Sequence, residues 1–542
     1  MDNADRAGLS RRWRELPQAV RAAFLCCFAA GFFTHIFAFT NIIPNADGIS
    51  RVADPQQMTV SGRWFLHYAT AWNGFVQAPA VIGFFSLLFL SLAAALVASM
   101  LRLRSGILGG LTGALMVVFP SVAYTFLYLF TASAYCFGIL LAVLAVWLVN
   151  RYKFGFLIAV PLLACSVGTY QAYIAVAASL SLICVVLFAL EGEHSAGEIL
   201  LTGLRHLVFL ILSLAVYYAV LRIFLRVKDL TLLNYKGIDS FGGDLNLKSL
   251  LPLAGSAYST FVDYFFVPHS FAHYTTPIAV LGNGLLGLMT LWAFVRIAVR
   301  NGCVKRPVAL ALTLLLCGLL PLALNLTVLM GKAMPIMRYA LVFAYVLALA
   351  LVDRAAAAGG AAAASAAPSR SARAGGVLRG AAACVSVLLL VVSLNIDNLA
   401  YTVSATAHRA TESFATRLVE RVETTPGYVN GMPVILIGGF PQDVYHSQIE
   451  VFSLVTDYSN VADTVIPLNK QVYYYLNDWL NVTWQEPDAA VMQAISDSEF
   501  FKSMPLYPSD GSVVIRDGRV IVKLAKAYKP KKDYEIAYEN RR

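Results

Sequence analysis

Charge is the scarcest property of this 542-residue chain: 13% of its residues are Asp, Glu, Lys or Arg, against 58% that are hydrophobic. A soluble globular domain carries about 25% charged residues, so the composition excludes an ordinary soluble protein. Cysteine occurs eight times and never as CxxC. Cys26, Cys27, Cys136, Cys165, Cys184, Cys317 and Cys384 lie in apolar runs, Cys303 sits in a basic loop, and the polar C-terminal stretch has none. Neither a disulfide framework nor a zinc site fits that pattern. The apolar runs also lack apolar/polar alternation, which argues against a transmembrane β-barrel.

Long continuous apolar runs are what the chain has instead. Stretches of about 20 apolar residues recur along most of its length, the signature of helices that cross a bilayer. Backbone polar groups have no water to bond in lipid, so such runs must be helical. The chain reads as an all-α polytopic membrane protein. Its net charge of +10 does not indicate nucleic acid. The basic residues cluster in short loops beside apolar runs, where they set topology.

Arg11, Arg12 and Arg14 precede the first run and predict a cytoplasmic N-terminus, residues 1–19. A helix over about 20–43 then delivers the loop 42–79 to the outer face, and a second over about 80–101 returns to Arg102 and Arg104. The stretches 107–150 and 154–190 are each too long for one span. They split near Tyr124–Tyr128 and near "TYQAY" (Thr169–Tyr173). A helix at about 203–225, an outer loop 226–275, and helices at about 276–296, 307–329, 338–353 and 377–396 follow, about 11 spans in all. The Ala/Gly/Ser-rich, basic segment 354–376 reads as a flexible cytoplasmic linker.

Residues 397–542 are much more polar and predict a small extracytoplasmic α/β or α+β domain. "MPVILIGGFP" (Met432–Pro441) reads as a buried strand. "SVVIRDGRVIVKLA" (Ser512–Ala525) reads as a hairpin turning at Asp517-Gly518. "IGGFP" lacks the spacing of a nucleotide site.

The chemistry concentrates in the first outer loop, "NADGISRVADPQQMTVSGRWFLHYATAW" (Asn45–Trp72), which holds Asp47, Arg51, Asp54, Arg63, Trp64, His67 and Tyr68. From about Val60 to Phe75 the spacing predicts an amphipathic interfacial helix. A carboxylate at the mouth of a helix bundle suits proton abstraction from an acceptor hydroxyl, and an arginine suits a bidentate grip on phosphate. An interfacial loop with scattered charge carries the same residues.

That loop resembles the first-loop signature of the GtrII-like membrane glucosyltransferases. The family shows two acids, an arginine four positions after the second, and a Gly-Arg pair about a dozen residues later; here Asp47, Arg51 and Gly62-Arg63 match. "TYQAY" resembles a further family feature, and the likeness covers roughly residues 20–400. It implies a GT-C-like fold and a hexosyltransferase that moves glucose or galactose from a polyprenyl phosphate to a cell-envelope glycan on the outer face of a bacterial plasma membrane. The first acid of the pair is Ala46, which puts a paired-carboxylate metal site in doubt; the expectation is no metal and no other cofactor.

The resemblance makes Asp47 the expected general base, with Asp54 in reserve. With one carboxylate, direct displacement with inversion is the simplest scheme. Arg51, Arg63, Lys332 and Arg338 are candidates for the donor phosphate; Arg338 begins an apolar helix at an outer interface, where an arginine needs an anion or room to snorkel. Trp64, His67, Tyr170, Gln171 and Tyr173 are candidates for the sugar or acceptor, though tyrosine is also a routine interface residue. His35, inside the first helix, reads as a packed histidine. The expected partners are the polyprenyl-linked donor, the glycan acceptor and the bilayer, with no nucleic acid; a homo-oligomer stays open. The rivals are a transferase for another lipid-linked unit, a non-catalytic assembly subunit, and a transporter or flippase of a lipid-linked sugar. A transporter wants mid-membrane charges and repeated halves, of which the sequence shows few and none respectively.

Overall fold

The structure is a computed structural model and describes residues 12–44, 47–49, 53–232, 247–268, 276–327, 333–357, 370–441, 449–455 and 469–530. Among these, ten helices are long and apolar enough to cross a membrane. They are α1 (Gln18–Thr40), α2 (Pro79–Met100), α3 (Gly106–Leu127), α4 (Leu129–Arg151), α6 (Gln171–Ala189), α7 (Ala196–Val227), α9 (Pro277–Arg300), α10 (Pro307–Leu324), α11 (Tyr339–Ala357) and α12, which reaches Glu423. The shorter apolar helix α5 (Phe156–Thr169) precedes α6. The split of 107–150 falls at Leu127–Leu129, and that of 154–190 at Tyr170, whose extended φ of −155° ends α5.

Two features differ from the sequence expectation. The segment 226–275, expected as an outer loop, contains a 20-residue helix, α8 (Leu247–Phe266), whose apolar spacing is interrupted by Pro252. The last span is one 54-residue helix, α12 (Arg370–Glu423). No Gly or Pro occurs between Ala381 and Thr425, so nothing stops the helix until Pro426-Gly427. The expected linker 354–376 is correspondingly shorter. Residues to Ala357 complete α11, those from Arg370 begin α12, and 358–369 lie outside the described residues.

The chain divides into two compact units. The first comprises Met1–Thr40, Pro55–Phe126 and Thr131–Asn398. Its tightest contact joins α1 to α3. Gly109 and Gly113, four residues apart, lie against the α1 backbone: a Cβ at Gly109 would stand 2.4 Å from Ala19 O, and one at Gly113 2.1 Å from Ala23 O. Small residues at this spacing let two membrane helices approach closely. His35 is fully buried on the same helix, its Nε2–H donating to Val117 O at 2.9 Å, as a packed histidine does.

At the end of α11 the buried Asp353 carboxylate ties three elements together. It accepts from the backbone N–H groups of Arg104 (2.6 Å) and Ser105 (3.3 Å), which open α3, and from Arg379 of α12 at 2.9 Å. A carboxylate at a helix N-terminus meets both unsatisfied donors and a favourable dipole. Asp353→Ala removes the acceptor for all three groups. The expected loss is about 3 kcal/mol, seen as a lower midpoint of thermal unfolding in detergent. An unchanged midpoint would show that water replaces the carboxylate.

The second unit comprises Asn41–Asp54, Leu127–Phe130 and Leu399–Arg542. Its sheet has the order β1-β3-β2, with β1 (Val434–Ile437) parallel to β3 (Arg519–Lys523) and β2 (Val513–Arg516) antiparallel to it. The hairpin turns at Asp517-Gly518, where φ is 51° and 69°, the left-handed pair that matches strand twist. All four β1 residues are buried, because helices cover both faces. Val434 and Leu436 pack with Phe414, Leu418 and Val422 of α12 and with α13 (Asn469–Leu480). Ile435 and Ile437 pack with Met492 of α14 (Ala489–Asp497) and Phe501 of α15 (Glu499–Ser503). Tyr473 locks the arrangement: its hydroxyl donates to Val434 O (3.1 Å) and accepts from Leu436 N–H (2.8 Å). Burial pushes that phenol above its ordinary value.

Candidate functional site

The first loop, Asn45–Trp72, is not the continuous interfacial helix that the spacing of Val60 to Phe75 predicts. It forms a 3₁₀ turn (Thr59–Ser61), a short helix (Leu66–Thr70) and another 3₁₀ turn (Ala71–Asn73). Gly62 (φ 78°) and Gly74 (φ 65°) break it, each in the left-handed region that favours glycine. Gly62 is required sterically as well. A Cβ there would lie 2.5 Å from Gln171 Nε2 and 2.7 Å from the Tyr217 hydroxyl. Both groups hold the loop: Gln171 Nε2 donates to Ser61 O at 2.7 Å, and Tyr217 donates to Gly62 O at 3.1 Å.

Around this brace the first unit gathers several of the expected residues. The Arg63 guanidinium lies over the Tyr170 ring, 5.1 Å from its centroid. Tyr170 in turn stacks on Tyr135 at 4.6 Å and 16°, and Tyr173 meets both rings edge-on. The result is a partly exposed cation on a rigid aromatic floor. His67 is also partly exposed; its Nδ1–H donates to Pro55 O at 2.6 Å and its ring stacks on Phe75 at 5.0 Å. In the neutral ring this leaves Nε2 as an acceptor.

Trp64, Gln171 and Tyr173 are buried and engaged in packing and bracing contacts. Trp64 is 7% exposed and stacks on Phe224 at 5.8 Å, with Leu221 and Leu225 around it. A Cβ at Gly168 would come within 2.6 Å of its ring, so that glycine admits the indole. Tyr170 and Tyr173 are buried too, and the Arg63 guanidinium covers the Tyr170 face. Arg338 is partly buried, with one guanidinium nitrogen donating to Ala333 O at 3.1 Å. The next residue, Tyr339, donates to Met116 O at 3.1 Å. Arg51, Lys332 and Ala46 lie outside the described residues.

Asp47 belongs to the second unit, and there its setting is well defined. Its side chain is exposed on the turn Asp47-Gly48-Ile49, while Gly48 and Ile49 are buried. Ile49 is 1% exposed and joins the core formed by Phe414, Leu418, Tyr475 and Leu476. Its carbonyl accepts from the indole N–H of Trp479 at 2.9 Å. Asp54 is partly buried. Asp47 thus has the access a proton acceptor needs and a turn backbone held by the packing of Ile49, two residues on.

Tyr135, Tyr217 and Trp479 are the residues that sequence reasoning missed. Each acts on a partner far along the chain: Tyr135 on Tyr170, Tyr217 on Gly62, Trp479 on Ile49. No local spacing could signal them.

The model of the family described as "Glucosyl transferase GtrII" matches residues 36–352, more than half of the chain. No curated protein and no solved structure is matched. The matched segment contains the first loop, the Tyr135–Tyr170–Tyr173 cluster and Arg338. The ten apolar helices and the family match together make the chain a multi-pass membrane glycosyltransferase, and it belongs to the GtrII glucosyl transferase family.

Proposed function

We propose that this membrane glucosyltransferase takes its sugar, glucose or galactose, from a polyprenyl monophosphate and delivers it to a hydroxyl of a cell-envelope glycan on the outer face of a bacterial plasma membrane. The N-terminus is cytoplasmic in this scheme, and the second unit faces outward. The acceptor oxygen attacks the anomeric carbon as the bond from that carbon to the phosphate oxygen breaks. The acceptor proton passes to the Asp47 carboxylate, and polyprenyl phosphate leaves with the bonding electrons. One displacement inverts the anomeric centre. The observation that carries this reading is Asp47 itself, an exposed carboxylate on a turn whose next two residues are buried. Asp54 is the second choice for the same role.

The departing phosphate needs a cation. Arg63 is the best supported, because its guanidinium rests on a stacked pair of tyrosines. Arg51, Lys332 and Arg338 are the other candidates. Arg63→Gln should raise the KM for the donor roughly tenfold, the value of one charge-assisted contact. A normal donor KM in that variant would move the phosphate role to Arg338 or to Arg51 and Lys332.

The test of the function is sugar transfer by the purified protein in nanodiscs, offered a panel of polyprenyl-phosphate sugars and the source organism's envelope glycan. Transfer from one monophosphate donor, with and without chelator, is the expected result. Loss of transfer on chelation would bring a metal into the mechanism. Movement of the lipid-linked sugar between leaflets without transfer would replace this reading with a flippase.

A further inference from the structure

A general base on a loop works only if the loop holds it still. A displacement of about 1 Å in a reacting group can cost about 10²-fold in rate. The Asp47 turn has no regular secondary structure of its own. One restraint on it comes from the far end of the sequence. Trp479 sits on α13, 430 residues away, and its indole N–H donates to the carbonyl of Ile49, two residues after Asp47. The Ile49 side chain is buried, 1% exposed, in the core cluster to which this helix and α12 both contribute.

The indole is itself held in place. The His408 ring of α12 meets it at 75° and 6.3 Å, and meets Tyr475, one helical turn before Trp479, at 88° and 6.0 Å. Edge-to-face contacts of this kind fix ring orientation and so aim the N–H. The hydrogen bond and the buried Ile49 side chain pin both the backbone and the side chain of the residue two places from the carboxylate. Gly48, between them, is buried as well.

We infer that Trp479 is a positioning residue for Asp47: by binding the Ile49 carbonyl it holds the turn that carries the carboxylate in one conformation. The inference rests on Asp47 as general base. It adds that the base is presented by α13, a helix outside the segment matched by the family model.

The experiment uses the full chain in nanodiscs. Wild type, Trp479→Phe and Asp47→Asn are compared for kcat, for the KM of polyprenyl-phosphate glucose, and for amide exchange at residues 47–49 and in β1 and β3. Trp479→Phe keeps a ring and loses the N–H. The expected result is a 10- to 100-fold lower kcat, a donor KM within about twofold, faster exchange in the turn and unchanged exchange in the sheet. A purely structural role would slow nothing at constant sheet protection. Should the sheet loosen in Trp479→Phe, 3-benzothienylalanine at position 479, which keeps the bicyclic ring and lacks only the N–H, gives the decisive comparison. An unchanged kcat, or a lower kcat with exchange of the turn unaltered, overturns the inference while Asp47 stays the base if Asp47→Asn is inactive. Full activity of Asp47→Asn removes the base reading itself, and the inference with it. The exchange measurement needs no substrate.

Discussion

Asp47→Asn lowers kcat for sugar transfer by about 10²- to 10⁴-fold and leaves the donor KM within about twofold. The amide is nearly isosteric with the carboxylate, and the side chain is exposed, so the fold has no reason to change. What disappears is the proton acceptor, needed only as the acceptor oxygen attacks. An effect confined to the transition state appears in kcat and not in KM. Hydrolysis of the donor by water separates this from an effect on glycan binding. If Asp47 activates the acceptor, hydrolysis and transfer fall together. If it binds the glycan, transfer falls alone and the base role passes to Asp54. Steady-state kinetics of both reactions on one preparation make the distinction.

Gly113→Leu is expected to destroy the folded membrane unit. The space a side chain would need is occupied by backbone: the carbonyl oxygen of Ala23 stands 2.1 Å from the position of a Cβ, and the carbonyl carbon 2.8 Å. A flexible side chain could swing aside, but a helix backbone must move as a whole. α1 would have to separate from α3, and the neighbouring contact of Gly109 with Ala19 would open with it. Overpacking costs about 1–3 kcal/mol where side chains can adjust, and more where they cannot. Gly113→Ala should therefore already lower the unfolding midpoint in detergent, and Gly113→Leu should leave little monodisperse protein. Gly376, beside whose Cβ position nothing lies within 4 Å, is the control and should accept alanine without this effect. Equal behaviour of Gly113→Ala and Gly376→Ala on size-exclusion profiles and melting curves would show that α1 and α3 are not held by this contact.

Legibility in the sequence followed the range of the interaction. Apolar runs and the Asp-Gly hairpin are local signals, and the apolar helices and the hairpin stand where those signals put them. α8 escaped because Pro252 interrupts a pattern that is otherwise helical. The length of α12 escaped because its polarity rises after Asn395, and polarity alone does not stop a helix that lacks Gly and Pro. In the first loop the composition of Val60–Phe75 suited an amphipathic helix, but Gly62 accepts a left-handed φ and the close approach of Gln171 and Tyr217. Tertiary contact overrode local periodicity there.

By itself the sequence determined the solvent, the helical class and the outline of the spans, because burial in lipid acts on each segment independently of its neighbours. The resemblance of its first loop to the GtrII signature made Asp47 and Arg63 candidates. Only the tertiary structure decided what each residue near them does. Trp64, Gln171 and Tyr173 became packing and bracing, Tyr135 became the floor beneath Tyr170, and Trp479 came to hold the carbonyl two residues from Asp47. The reason is physical. Whether an aromatic or amide group is free to meet a ligand depends on which surfaces are already covered and which hydrogen bonds are already made, and the covering groups come from residues tens to hundreds of positions away.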